Sequence, residues 1–124
     1  MERRELLQED AHLMTLRLLE KNPQMTQREL AQSLGVSLGK ANYCVQALLH
    51  RGLIKLSNFQ NSRHKLAYAY YLTPAGFAEK SAITARFLMR KIAEYEQLQA
   101  DIAQLRYELD ATQQVSMDTR QSEV

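Results

Sequence analysis

Apolar residues recur at helical spacing in the first part of the chain and predict two helices there. The first spans about residues 4–21 and ends at Asn22-Pro23, because proline cannot continue the hydrogen bonding of a helix. The second follows a capping box, in which the Thr26 hydroxyl and the Glu29 carboxylate each accept from a backbone N–H. Its inward positions are Leu30, Ala31 and Leu34.

A third helix is predicted from about residue 38 to Arg51. Gly35 ends the helix before it, since glycine adopts a left-handed C-cap without steric penalty. Ser37 caps the third helix and Gly52 closes it. A helical wheel separates two faces. The core face holds Ala41, Cys44, Val45 and Leu48, and the outward face holds Gly39, Asn42, Tyr43, Gln46 and His50, with Lys40 at its edge.

The pattern then becomes typical of a β-hairpin. Residues 53–59 and the tyrosine-rich residues 66–72 predict two strands, joined by a polar, basic turn at 60–65. Two short capped helices followed by a hairpin predict a winged helix-turn-helix over residues 1–73. The expected fold class is mainly α with a small β-hairpin (α+β).

One long helix is predicted after the hairpin. Thr73-Pro74 supplies an N-cap and a proline at the first helical position, and no glycine or proline follows Gly76. The helix is therefore expected to span residues 74–112 and to serve dimerisation, with a disordered tail at 113–124.

The last helix carries a heptad pattern from Leu88 onward. Six of its eight a and d positions are apolar, as in a coiled coil. Packing against the rest of the chain explains the apolar residues in the early part of this helix. Beyond about Leu98, little of the chain remains to cover the a and d positions, which form the coiled-coil seam. A second copy is the expected partner, in a two-fold homodimer. The predicted interface residues are Leu88, Tyr95, Leu98, Ile102, Leu105 and Leu109.

Positive charge is concentrated in the middle of the chain. The net charge is +2, but residues 23–72 carry six basic side chains against one acidic, whereas residues 1–22 and 73–124 are net negative. This distribution favours a polyanionic partner such as double-stranded DNA, although chance variation of a protein surface would also produce it.

The third helix is the predicted DNA-reading element, since the second helix of a helix-turn-helix enters the major groove. Asparagine and glutamine suit adenine, and lysine suits guanine or a phosphate. Gly39 either admits the DNA backbone closely or only relaxes the first turn. The expected base contacts are Gly39, Lys40, Asn42, Tyr43 and Gln46. Phosphate contacts are expected from Thr26, Gln27, Ser37, Arg63, His64 and Lys65.

Other classes of function find little support in the sequence. No catalytic pair or phosphate-binding glycine loop is evident, the single cysteine forms no disulfide, and the histidines lack metal-ligand spacing. We therefore expect no enzyme activity, cofactor or metal. The absence of a signal peptide or an apolar span predicts a cytoplasmic location without membrane association. The alternative is a winged helix used for protein–protein contact, which explains the heptads but not the local positive charge.

Several motifs resemble those of MarR-type regulators associated with bacterial exopolysaccharide loci. They are Gln27-Arg28-Glu29-Leu30-Ala31, the run from Leu34 to Lys40, Asn42-Tyr43-Cys44, Leu53-Ile54-Lys55 with Asn58-Phe59, Leu72-Thr73-Pro74-Ala75-Gly76, and Arg90-Lys91 through Glu94-Tyr95-Glu96. The resemblance covers roughly residues 10–110 and implies transcriptional regulation of surface-polysaccharide genes. Typical MarR regulators frame an effector pocket with N- and C-terminal helices. Here only one helix precedes the helix-turn-helix, which argues against a small-molecule effector.

Overall fold

A computed structural model describes residues 3–60 and 66–122 of the chain. Three helices come first, then two strands, then one long helix. In chain order they are α1 (Arg3–Lys21), α2 (Gln27–Leu34), α3 (Leu38–His50), β1 (Ile54–Gln60), β2 (Leu66–Leu72) and α4 (Pro74–Ser122).

The predicted caps of α2 and α3 are confirmed. The Thr26 hydroxyl accepts from the Glu29 N–H at 3.1 Å, and the Glu29 carboxylate accepts from the Thr26 N–H in return. Gly35 follows α2 with φ 69°, in the left-handed region that glycine tolerates best. The Ser37 hydroxyl accepts from the Lys40 N–H at 3.1 Å and fixes the start of α3. These caps set the tight turn between the two helices.

The two strands form an antiparallel hairpin, in which Ile54 pairs with Leu72 and Gln60 with Leu66. The first strand begins at Ile54 rather than at the predicted Leu53. The Leu53 N–H instead donates to the Leu48 carbonyl at 2.9 Å, at the end of α3, and its carbonyl accepts from the Thr73 N–H at 3.1 Å. Leu53 therefore joins α3 to the start of α4 instead of extending the sheet.

The hydrophobic core lies among α1, α2, α3, the hairpin and the first turns of α4. The predicted core face of α3 is buried, and so are Leu30 and Ala31 of α2. From α4, Ile83 is buried and Phe87 packs against the core. The central buried residues are Leu13, Leu16, Leu19, Leu30, Val45, Leu48, Leu53, Ile54 and Ile83.

The last helix ends later than the sequence predicted. It continues to Ser122 instead of ending near residue 112, so the residues from 113 to 122 are helical rather than a disordered tail. Without proline or glycine, these polar residues continue the backbone hydrogen bonding. Two compact units divide at Phe87 and Leu88, and α4 contributes to both. None of the described helices is long and apolar enough to span a membrane.

Candidate nucleic-acid interface

The outward face of α3 brings together the five residues predicted to contact bases. All five are exposed, whereas Ala41, Cys44, Val45 and Leu48 on the opposite face are buried. The exposed set combines two amides, a cation, a phenol ring and a glycine, and it consists of Gly39, Lys40, Asn42, Tyr43 and Gln46. The alternation of burial along α3 therefore presents a continuous polar surface that is rich in hydrogen-bonding groups.

Gly39 lies in the first turn of this surface. Among the described residues outside its own helical turn, no atom lies within 4 Å of the position that a Cβ would take here. Packing within the chain therefore does not require a glycine here, and neither does its backbone, because Gly39 lacks the positive φ found at Gly35 and Gly52. An alanine would be expected to suit the helix better by up to about 1 kcal/mol.

The two predicted capping residues differ in what they still offer to a phosphate. Ser37 is exposed, and its hydroxyl oxygen accepts from Lys40 N–H without a described hydrogen-bond acceptor for its own proton. The Thr26 hydroxyl, in contrast, donates to the Glu29 carboxylate at 3.0 Å. A phosphate at Thr26 would have to displace that carboxylate, so Ser37 is the better placed of the two.

Gln27 connects α2 to the hairpin. Its Nε2 donates to the Tyr70 hydroxyl at 3.5 Å, and the Tyr70 N–H donates to the Pro23 carbonyl at 2.8 Å. The Gln27 side chain is half-buried and turned towards β2. This arrangement gives Gln27 a packing role that the sequence pattern did not reveal.

The hairpin contributes exposed polar side chains from both of its strands. Lys55 and Tyr71 face each other across the ladder, and both are exposed. The predicted phosphate contacts Arg63, His64 and Lys65 lie outside the described residues. Arg28 on α2 is a further exposed cation. It is one of the six basic residues counted in the middle segment, but the sequence pattern predicted no DNA contact for it.

Glu79 of α4 pairs with one cation of the middle segment, and acidic residues of α1 pair with two cations of α4. Arg51, just after α3, lies 3.6 Å from the Glu79 carboxylate, and Arg86 donates through Nε to Glu9 at 2.7 Å. Lys80 pairs with Glu20. Arg51 therefore faces α4, and among the described residues Lys40, Lys55 and Arg28 are the exposed cations of the middle segment outside that network.

Two buried groups have shifted ionisation. Burial raises the pKa of the Cys44 thiol, which keeps it protonated and fits a packing role rather than a redox role. Burial also lowers the pKa of His12, and the nearby Arg51 lowers it further, against the opposing effect of Glu79 and Glu9. His12 is therefore held neutral, and its Nε2 has no hydrogen-bond partner among the described residues.

A cavity of about 350 Å³ opens between α1 and α3. Apolar groups and two cations line it, together with His12. The lining comprises Arg4, Leu7, Gln8, Ala11, His12, Lys40, Tyr43 and Cys44. Lys40 and Tyr43 thus belong both to this cavity and to the outward face of α3.

The predicted dimer seam is exposed in the C-terminal unit. Its six apolar positions are between 41% and 63% exposed. Side-chain hydrogen bonds between residues about one helical turn apart stabilise this part of α4. Examples are Lys91 with Glu94 at 3.1 Å and Gln104 with Glu108 at 3.1 Å.

A sequence-family model described as winged helix-turn-helix DNA-binding matches residues 8–55. This segment contains most of α1, the whole of α2 and α3, and the capped turn between those two helices. The chain contains a winged helix-turn-helix domain. In this domain α3 occupies the recognition-helix position and the β1–β2 hairpin is the wing. No curated protein sequence is significantly similar to the chain.

Solved structures with this winged helix-turn-helix fold include MarR-family regulators. Staphylococcus aureus MarR, in complex with salicylate and kanamycin, has 19% identity and a TM-score of 0.54 over 69% of this chain, which spans only 56% of that protein. A transcriptional regulator from Thermoplasma acidophilum has 24% identity and a TM-score of 0.58, over 73% of this chain and 92% of its own.

A third structural neighbour was solved with nucleic acid. It is a mutant of Staphylococcus aureus MepR bound to an oligodeoxyribonucleotide, with 18% identity and a TM-score of 0.51. The match covers 80% of this chain and 78% of that one. At these identities the similarity establishes the winged helix-turn-helix fold.

Proposed function

We propose that this protein is a sequence-specific DNA-binding transcriptional regulator of the MarR type. The observation that carries the proposal is the outward face of α3, where amides, a cation and an unpacked glycine occupy the recognition-helix position of a winged helix-turn-helix. A structural neighbour bound to an oligodeoxyribonucleotide supports the same use of the fold.

Different residues of this surface would bind different parts of the duplex. Asn42 and Gln46 each offer an amide that can pair with adenine through two hydrogen bonds, and Lys40 can reach guanine or a phosphate. Ser37 and the start of α3 would hold a phosphate, because helix N-termini attract anions through free N–H groups. The basic wing residues Arg63, His64 and Lys65 would bind the adjacent backbone, as their charge suggests.

The regulator would act as a homodimer paired through α4. The apolar side chains at the a and d positions form an exposed stripe along α4, which needs another apolar surface to pack against. A second copy of the chain supplies the same stripe, and the two can pack together in a two-fold dimer. Two wing-bearing domains in one dimer would then bind the two halves of an inverted repeat. A protein-interaction module would also use this stripe, but it gives no reason for the amide-rich face of α3.

The motif resemblance favours regulation of surface-polysaccharide genes and a cytoplasmic regulator. The cavity beside Lys40 and Tyr43 leaves room for a small ligand. We propose double-stranded DNA and a second copy of the chain as the partners of this regulator.

A gel shift with duplex DNA at several salt concentrations tests the proposed function. The full chain should retard DNA upstream of its own gene and neighbouring genes, with affinity falling linearly on a logarithmic salt scale because phosphate contacts release counterions. Footprinting should then show a protected inverted repeat. Equal, weak affinity for all duplexes, or none, would favour the protein-interaction module instead.

A further inference from the structure

Leu38 is an exposed apolar side chain at the edge of the surface proposed to read DNA, next to Asn42. It is the first residue of α3, directly after the Ser37 cap, and 48% of its surface remains exposed. The next two residues add little cover, since Gly39 has no side chain and Lys40 lies about 200° away around the helix. An exposed apolar side chain at the first turn of α3 interrupts a surface that is otherwise mostly polar, so it needs an apolar contact of its own.

The position of Leu38 relative to Asn42 suggests what it contacts. The two residues are four apart in a helix, so their side chains are neighbours on the same side of α3. Both are exposed. In the major groove an amide such as that of Asn42 suits adenine, and the apolar group presented there by DNA is the C5-methyl of thymine. A leucine and an asparagine in this arrangement therefore match neighbouring A·T base pairs.

We infer that Leu38 determines part of the sequence specificity by packing against a thymine methyl group beside the adenine bound by Asn42. This inference rests on the proposed function and makes it more specific, since it assigns at least one A·T pair to each half-site. The contact would bury the exposed part of Leu38 only when the correct base is present, so it would discriminate between sequences rather than add general affinity.

Replacing thymine by deoxyuridine tests the contact, because uracil lacks only the methyl group and keeps the same pairing. A specific duplex is first selected with the full chain from random sequences. Each thymine is then exchanged in turn. We expect one position in each half-site at which the exchange lowers affinity about fourfold, which corresponds to about 0.8 kcal/mol for one buried methyl-sized group.

Two variants assign the effect to its side chain. Leu38→Ala should bind the thymine duplex more weakly and should no longer distinguish thymine from uracil at that position. Met14→Ala is the matched control, since Met14 is an apolar side chain of similar exposure, 43%, on α1, and it should keep the discrimination. Circular dichroism melts check that both variants fold.

The outcomes separate this inference from the proposed function. Sequence-specific binding without any uracil-sensitive position would overturn the role of Leu38 and leave the regulator intact. Discrimination that persists in Leu38→Ala would assign the methyl contact to another residue and would also overturn the inference. A chain that selects no sequence would overturn both.

Discussion

Two glycines show how the same residue type serves different purposes at the residue scale. Gly76, in the first turn of α4, has no room for a side chain, because a Cβ there would lie 2.0 Å from the Leu53 carbonyl oxygen. Gly39 has open space around it. Gly76 is therefore required by the fold, whereas Gly39 is free of any such requirement within the chain.

Alanine substitutions should separate these two roles. Gly76→Ala should destabilise the protein by about 1–3 kcal/mol or more, since the backbone of Leu53 would have to move. Gly39→Ala should leave stability unchanged or raise it by up to about 1 kcal/mol, yet weaken DNA binding if the backbone approaches the duplex closely. Urea unfolding and gel shifts measure both. A Gly39→Ala variant with unchanged DNA affinity would favour a local role in the first turn.

His12 makes stability depend on acidity. Burial and Arg51 lower its pKa below the 6.5 of an exposed histidine, against the opposing effect of Glu79 and Glu9. As the pH falls below about 6.5, the unfolded chain takes up this proton more readily than the folded chain. Stability should therefore be complete above that pH and decline as the pH falls towards the lowered pKa.

Chemical unfolding from pH 7.5 to 5 measures this loss. In His12→Leu the decline should be smaller, because the buried titrating group is gone. His50→Gln, a change at an exposed histidine, is the control and should retain the decline of the parent protein. An equal pH dependence in all three proteins would assign acid sensitivity to other groups.

At the scale of elements, α3 combines two tasks on opposite faces. Its buried face holds the helix against α1 and α2, and its exposed face carries the groups proposed to contact bases. Substitutions on the exposed face should therefore change recognition without loss of fold. The wing and the helix caps, in contrast, are proposed to bind the DNA backbone, which is the same in every sequence.

Asn42→Ala and Gln46→Ala should relax the sequence preference and cost about 1–3 kcal/mol for each true base contact. Arg63→Ala and Lys65→Ala should weaken binding to all duplexes alike and flatten the salt dependence. Binding to specific and random duplexes at two salt concentrations distinguishes the two patterns. If the wing variants altered preference and the α3 variants did not, the proposed roles would be reversed.

At the scale of the whole molecule, the exposed apolar stripe of α4 is the surface proposed to control assembly. A charge in the middle of the stripe would be buried without a partner in a dimer. Ile102→Glu should therefore give monomers by light scattering, while the melting of the winged domain is retained. Tyr107→Glu, which adds the same charge at an exposed position outside the seam, should remain dimeric. A dimeric Ile102→Glu variant would place the interface elsewhere.

The charges beside the seam favour parallel pairing of the two helices. The g positions Glu94, Asp101 and Glu108 are acidic, so antiparallel pairing would bring acidic rows together, whereas parallel pairing sets Asp101 opposite Arg106 of the second copy. Each exposed pair contributes only about 0.2–1 kcal/mol. The preference is therefore small and calls for a direct measurement.

Leu109→Cys, combined with Cys44→Ser, reports whether the two α4 helices pair in parallel or antiparallel. Leu109 is an a position, so parallel helices bring the two thiols together, and mild oxidation should crosslink the dimer. Non-reducing electrophoresis measures the crosslink. A dimer that stays uncrosslinked under these conditions would exclude the parallel arrangement.

The sequence by itself determined the elements and most of their boundaries. Helix caps and left-handed turns could be predicted without tertiary structure, because they depend on hydrogen bonds between residues close in the chain. This holds for Thr26, Gly35 and Ser37. The two faces of α3 followed from helical spacing alone, and burial confirms the core face. The end of α4 was predicted too early, because polar residues allow a helix to continue as readily as they allow it to stop.

Only the tertiary structure decided what depends on residues far apart in the chain. Gly76 against Leu53, Gln27 against Tyr70, and Arg51 against Glu79 bring together positions that no local pattern connects. The charge count likewise treated Arg51 as part of the basic surface, whereas the fold turns it towards α4. Local hydrogen bonding and periodicity are encoded within one or two turns, but contacts between elements arise only when the core packs and fixes their relative positions.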